Sequence, residues 1–247
     1  MIAALDHPAY TFTGESKFQE KPKLVAKIIS VFNQKGGCGK TTITMHIAGT
    51  LALRNFRVLV ADLDLQGTAQ RWASCAEDSA PFPASVISLA NAGRNVHREI
   101  RNHINDYDYI VVDCPPAIDT AAPSSALLVS DLALVPFVPS PADLWALIGA
   151  DKLYAAATFT NTSLKGALIA NMVKRQAIGY EVIQEVSKTA SMQLMNTRIG
   201  DRAAFRECQV MGSTVHSVPR AKDAVREVEA LTDEVLKFLV DSKQELK

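Results

Sequence analysis

The chain has 247 residues, 48% of them hydrophobic and 21% charged, with 26 Lys and Arg balanced by 26 Asp and Glu. A chain of this size and composition buries a core without a disulfide or metal staple, and its neutrality excludes a surface coated in basic charge. No run approaches the ~18 apolar residues of a membrane span; Cys38, Cys75, Cys114 and Cys208 form neither a CxxC nor a His/Cys ligand pattern, so they read as reduced thiols.

Residues 1–23 are polar, lack periodicity and end in "EKPK". They read as a flexible tail, or a partner-binding arm, ahead of one domain over 24–247. No basic start precedes an apolar run, so no secretory signal is expected. From Val25 onward short apolar runs alternate with longer helical ones. "KIISVFN" predicts a strand, "KTTITMHIAGTLALR" a helix, and "RVLVAD", "YDYIVVDCPP", "DLALVPFVP" and "GALIANMV" four further strands. These runs are apolar throughout rather than alternating, as strands buried on both faces of a parallel sheet are. Their separation by helical segments predicts an α/β fold, a doubly wound, mostly parallel sheet flanked by helices.

Between the first strand and the first helix stands "NQKGGCGKTT". Gly36, Gly37 and Gly39 let the backbone curl so that N–H groups face a phosphate chain, with a helix N-terminus behind them. Lys40 is expected to reach the β/γ-phosphates, the Thr41 hydroxyl to ligate Mg²⁺, and Thr42 to donate to the α-phosphate. Cys38 fills a permissive position in the loop. Asp113 closes an apolar strand, where a carboxylate needs a partner such as hydrated Mg²⁺. Asp62 and Asp64 end another strand, and their spacing of two places them on one side of an extended chain. No N-K-x-D stretch occurs to read guanine, so ATP is the expected nucleotide.

The loop departs from G-x-x-x-x-G-K-[ST]. Gln34 stands where the first glycine would, and a second lysine, Lys35, follows it. "KGGCGKTT" resembles the deviant Walker A loop of the ParA/MinD family of P-loop ATPases. "VLVADLDLQGTAQRW", "YIVVDCPP" and "SDLALVPFVPSPADLWAL" are similar to that family's later motifs, and the resemblance covers about residues 27–245. It implies that Lys35 crosses a dimer interface to the partner subunit's nucleotide and that Asp64 orients the attacking water. It also implies that Asp62 supports both the loop and the metal shell, the latter with Asp113 and Thr41. Asn171 resembles the position that contacts the base, and reads equally as a core or loop-end asparagine. Leu65 replaces the family's proline, a change expected to loosen the loop around Asp64 and Gln66.

Arg198, Arg202, Arg206, Arg220, Lys222 and Arg226 outnumber the acids between positions 198 and 227. The resemblance implies non-specific DNA binding there, through Arg198, Arg202 and Arg206, when two subunits come together. Arg202 and Arg206, four apart, are expected to share a helix face; the other reading is a solvated face with internal salt bridges. The function implied is a Mg²⁺-dependent ATP hydrolase, homodimeric with ATP, cytoplasmic and nucleoid-associated. It would position a plasmid, a chromosome region or a large protein assembly, with a ParB-like or other partner stimulating hydrolysis. With some 25 residues ahead of the core, the helix-turn-helix of larger relatives is not expected. The alternative is a MinD-like regulator at the membrane surface. The C-terminal "AKDAVREVEALTDEVLKFLVDSKQELK" has too acidic a polar face for such an anchor, so it predicts a helix packed on the sheet and no membrane partner.

Overall fold

The computed structural model describes residues 25–116, 121–174 and 176–240; the expected tail at 1–23 lies outside them. In chain order the main elements are β1 (Lys27–Val31), α1 (Lys40–Leu53), β2 (Val58–Asp62), α2 (Thr68–Ser74), β3 (Ser85–Ser88), α3 (Val96–His103), β4 (Tyr109–Asp113) and α4 (Ala121–Leu127). They continue with β5 (Leu132–Phe137), α5 (Pro141–Thr158), β6 (Lys165–Val173), α6 (Ala177–Thr189), β7 (Gln193–Gly200), α7 (Ala204–Val210) and α8 (Lys222–Val240). The strands form one sheet in the order β3-β2-β4-β1-β5-β6-β7, and every pairing is parallel.

The strands expected from apolar runs are the five inner ones. β2 and β5 are buried along their whole length, because helices cover both faces and leave no polar side. The two edge strands went unforeseen. β3 reads "SVIS" and β7 "QLMNTRIG", each largely half-buried or exposed, so neither shows an apolar run. One core layer joins Ile43, Met45 and Ile47 of α1 with Trp72 of α2, Cys208 of α7 and Val228, Leu231 and Val235 of α8. The other joins Val96 and Ile100 of α3, Ala126 of α4, Leu147 and Ala150 of α5 and Val182 of α6. The C-terminal helix thus packs on the sheet, as its acidic polar face suggested.

Chain order reverses around β1: β2, β3 and β4 lie to one side, β5 to β7 to the other. The carboxyl end of β1 therefore opens between β4 and β5, at a crevice where open α/β sheets bind ligands.

Candidate functional site

The chain leaves β1 at Val31 and turns back into α1 at Lys40. Asn33 holds this turn: Nδ2 donates to the Pro136 carbonyl of β5 at 2.9 Å and Oδ1 accepts the Lys35 N–H at 3.1 Å. Gly37 and Gly39 have φ of +75° and +89°, a region strained for any residue with a Cβ. A Cβ on Gly39 would also stand 2.1 Å from Asn171 Nδ2. Behind the loop, α1 begins with no side-chain cap and no acidic residue in its first turn. Its leading N–H groups and the positive end of its dipole face the loop, the arrangement that receives an anion.

Lys40 is buried and donates to the Lys35 carbonyl at 3.0 Å, spanning the loop. Thr41 donates to Asp113 Oδ2 at 2.6 Å, and Thr44 to Oδ1 at 3.4 Å. Asp113 lies in register with Asp62 on the adjacent strand. Burial, with the charges of Asp62 and Asp64 added and the Thr41 bond opposing, pushes the Asp113 carboxyl up to about 7. A hard cation relieves this crowding of acids, and Mg²⁺ fits: a hydroxyl and a carboxylate sit in hydrogen-bond contact beside a phosphate cradle. Among the described residues no group of three His, Cys, Asp or Glu would hold a metal by itself. Thr41 and Asp113 would hold Mg²⁺ together with water and phosphate oxygens, and the bound ion would offset phosphate charge.

Asp62 and Asp64 do not lie along one side of an extended strand. β2 stops at Asp62, and the chain turns at once. Fully buried Asp62 accepts the Asp64 N–H on Oδ1 at 3.0 Å and the Ala69 and Gln70 N–H groups on Oδ2 at 3.0 and 3.3 Å. It shapes the loop and caps α2, and its charge adds to the crowding at Asp113. The Asp64 side chain accepts the Gln66 N–H at 2.9 Å, and its carbonyl accepts from Gly67 at 2.9 Å. The turn that a proline would stiffen is held by Asp64 itself, while Leu65 stands 79% exposed.

Asn171 is 2% exposed and donates to the Cys38 carbonyl at 2.8 Å. Met172 beside it has φ +52°, where the β6–β7 register shifts. This geometry makes Asn171 a brace for the loop, which is the core or loop-end reading of that residue. Cys38 is buried with its thiol on the Lys35 carbonyl at 3.3 Å, and burial raises its pKa, consistent with a filling role. All four cysteines are free.

Arg202 and Arg206 do not share a helix face, because α7 starts at Ala204 and Arg202 lies in the turn before it. Arg202 grips Glu227, Nε to Oε2 at 3.0 Å, with Asp223 at 3.6 Å. Arg206 contacts Asp201 at 3.2 Å with 72% of its side chain exposed. Arg198 stacks its guanidinium 5.6 Å above the Tyr180 ring. The three make separate contacts, and Arg198 and Arg206 are exposed whereas Arg202 is half-buried.

Lys35 meets a residue the sequence reading missed. Its Nζ lies 2.7 Å from Asp143 Oδ2, on α5 of its own chain. The S-x-x-D spacing of Ser140 and Asp143 signals a helix start, but nothing in it points to a lysine 108 positions away. Gln34 also lies against α5, where a Cβ on Gly149 would stand 1.8 Å from its Oε1.

A profile of the CobQ/CobB/MinD/ParA nucleotide binding domain matches residues 29–229. Maintenance of carboxysome distribution protein A of Halothiobacillus neapolitanus is 32% identical over 211 residues, covering 84% of this chain and 95% of that protein. The sporulation initiation inhibitor protein Soj of Bacillus subtilis is 27% identical over 233 residues, covering 77% and 90%. Of solved structures, an ATP complex of Cyanothece McdA superposes with a TM-score of 0.71 at 16% identity, covering 85% of this chain and 96% of that one. The cell division ATPase MinD of Pyrococcus furiosus gives 0.69 at 20% identity, covering 86% and 99%; these two likenesses speak to the fold. With a glycine loop, an uncapped helix N-terminus and the Thr41–Asp113 pair converging at the end of β1, the chain belongs to the CobQ/CobB/MinD/ParA family of nucleotide-binding proteins.

Proposed function

We propose that this chain is a ParA-type ATPase that positions a large cargo, best supported as a protein assembly, by cycling between an ATP-bound dimer and a released monomer. The observation that carries the reading is Lys35, a second amine on a phosphate loop already served by Lys40. One lysine and one Mg²⁺ leave a triphosphate short of positive charge. A cation supplied by the other subunit stabilises the transition state and ties assembly to the γ-phosphate. Lys40 binds the phosphates within the chain, Thr41 and Asp113 take the Mg²⁺, and Asp64 orients the attacking water. Phosphoryl transfer depends more on such placement than on a strong base.

The dimer binds DNA without sequence preference through the Arg198–Arg206 region, as phosphate contacts allow. Arg206, largely exposed, is better placed for this than Arg202, which Glu227 holds. A ParB-like or other partner on the cargo stimulates hydrolysis and so controls release on the nucleoid. The carboxysome-distribution relative, matched over 95% of its length, supports protein cargo over a plasmid or chromosome region. The membrane-surface reading gains nothing from α8, whose Val228, Leu231, Val235 and Leu239 lie in the core. No helix among the described residues is long and apolar enough to cross a membrane.

Sedimentation with ATP tests the central point. Lys35→Ala should still bind ATP yet fail to dimerise, to stay on DNA or to respond to the partner; normal ATP-dependent dimers would overturn the reading. Asp64→Ala should accumulate as an ATP-bound dimer, and rapid hydrolysis by it would remove Asp64 from the mechanism. Co-sedimentation with plain duplex DNA and with anionic liposomes, with and without ATP, should show ATP-dependent retention on DNA. Retention on liposomes alone would favour the membrane-surface regulator.

A further inference from the structure

Asp143 is built unlike an ordinary helix cap. Ser140 is the N-cap of α5 and its hydroxyl accepts the Asp143 N–H at 3.3 Å. At this spacing a capping-box carboxylate returns to the N–H of the cap residue. Here the Ser140 N–H goes to the Val138 carbonyl at 2.7 Å. The Asp143 carboxylate turns toward the phosphate loop, its Oδ2 taking the Lys35 ammonium at 2.7 Å and the Ser140 hydroxyl. Oδ1 has no hydrogen-bond partner among the described residues, although the side chain is only 2% exposed. Helix initiation requires neither the burial nor the ammonium. Gln34, next to Lys35, packs closely on Gly149 of the same helix, so loop and α5 also meet beside the pair.

We infer that Asp143 is a positioning residue that parks Lys35 in cis, so that its own carboxylate and the partner-bound triphosphate compete for one ammonium. This rests on the reading that Lys35 serves the partner's nucleotide. When Lys35 leaves, it strands a buried carboxylate without its counter-ion, which is unfavourable. Dimerisation therefore proceeds only when the ligand attracts the amine more strongly than Asp143 does. ATP, with its γ-phosphate, offers more negative charge than ADP. Asp143 thereby sets the threshold at which nucleotide state becomes assembly, and a ligand shifts that equilibrium only by its differential contacts.

A merely structural Asp143 and a latch predict opposite signs. Asp143→Asn keeps the shape and a hydrogen-bonding partner for Ser140 while removing the charge. Sedimentation at saturating ATP should show the dimer dissociation constant falling about tenfold, which is about 1.4 kcal/mol, with ADP binding by the monomer unchanged. On a Lys35→Ala background the same substitution should change nothing. Unchanged or weakened dimers in Asp143→Asn, with Lys35→Ala still unable to dimerise, would overturn the latch and spare the trans lysine. Normal dimers of Lys35→Ala would overturn the trans lysine itself. A measurement on the unaltered protein covers the case in which Asp143→Asn does not fold. In the nucleotide-free monomer an acylating reagent should label Lys35 several-fold more slowly than exposed Lys188, although the Lys35 side chain is 39% exposed. Equal labelling rates would overturn the latch.

Discussion

Helix α1 carries two buried polar clusters that are resolved in opposite ways. At its start, Asp113 is bonded to the hydroxyls of Thr41 and Thr44 and lies beside the like-charged Asp62. Farther along, His46 is enclosed by its own partners. Its Nδ1 lies 2.8 Å from the Thr42 carbonyl, which only accepts, so the proton sits on Nδ1 and Nε2 faces the Cys208 thiol at 3.4 Å. The rings of Trp72 and Phe205 pack edge-on at 5.6 and 5.1 Å. Burial holds the imidazole down at about 4 and pushes the Cys208 thiol up to about 12. The His46 cluster is neutral and complete, whereas Asp113 is bonded only to hydroxyls among the described residues, so any charge it takes on is left without a bonded cation. Burial of a titratable group therefore does not mark a site; burial with an unmet charge does.

Substitutions at the two places should separate stability from ligand binding. The largest effect belongs to Asp113→Asn. ATP turnover with Mg²⁺ should drop at least about a hundredfold, while urea unfolding of the nucleotide-free protein at pH 8 should show a gain of about 1–3 kcal/mol. A variant that is active and no more stable would erase the contrast.

Next comes the pH dependence of stability, in which the two clusters act with opposite signs. Unfolded His46 takes a proton below its ordinary value of 6.5, but the folded ring refuses it until about 4. Its contribution is thus lost as pH falls through that window, by about 3 kcal/mol in all. Folded Asp113 keeps its proton up to about 7, whereas the unfolded chain releases it near 3.8, so its contribution falls as pH rises. The slopes offset in the wild type and should emerge in the single variants. His46→Leu should lose stability between pH 4 and 6.5 as pH rises, and Asp113→Asn should gain it. Equal profiles for all three proteins would contradict both assignments.

A third effect is at most about tenfold per pH unit. Mg²⁺ must displace the Asp113 proton, so affinity for ATP with Mg²⁺ should climb as pH rises toward 7, and Asp113→Asn should flatten the curve. The smallest effect lies at the surface, where the same distinction separates two arginines. Arg202 is engaged by Glu227, whereas Arg206 is largely exposed. Arg206→Ala should lower the slope of log affinity for DNA against log salt by about 1, read from titrations at several ionic strengths. An unchanged slope would leave Arg206 among the solvated surface charges.

Residues 35–42 were legible because their chemistry is local. Glycines at Gly37 and Gly39, an amine at Lys40 and a hydroxyl at Thr41 follow one another along a single turn, and their order alone describes a phosphate cradle. The inner strands were legible for a related reason, since burial on both faces imposes an apolar run on contiguous residues. Edge strands β3 and β7 escape that constraint, having one side open. The paired reading of Asp62 and Asp64 assumed that the strand continued, whereas Asp62 ends it by taking up the N–H groups of the loop it starts.

The residues by themselves determined the class of fold, the nucleotide loop and its supernumerary lysine, because φ preferences and burial patterns are carried by neighbours in the chain. Only the tertiary structure decided what each charge faces: Asp113 beside Asp62, Asn171 against the loop, and Lys35 on Asp143. Such pairs are made by parallel crossovers that join residues far apart in the chain, and hydrophobic periodicity records that a strand is buried without recording its neighbour.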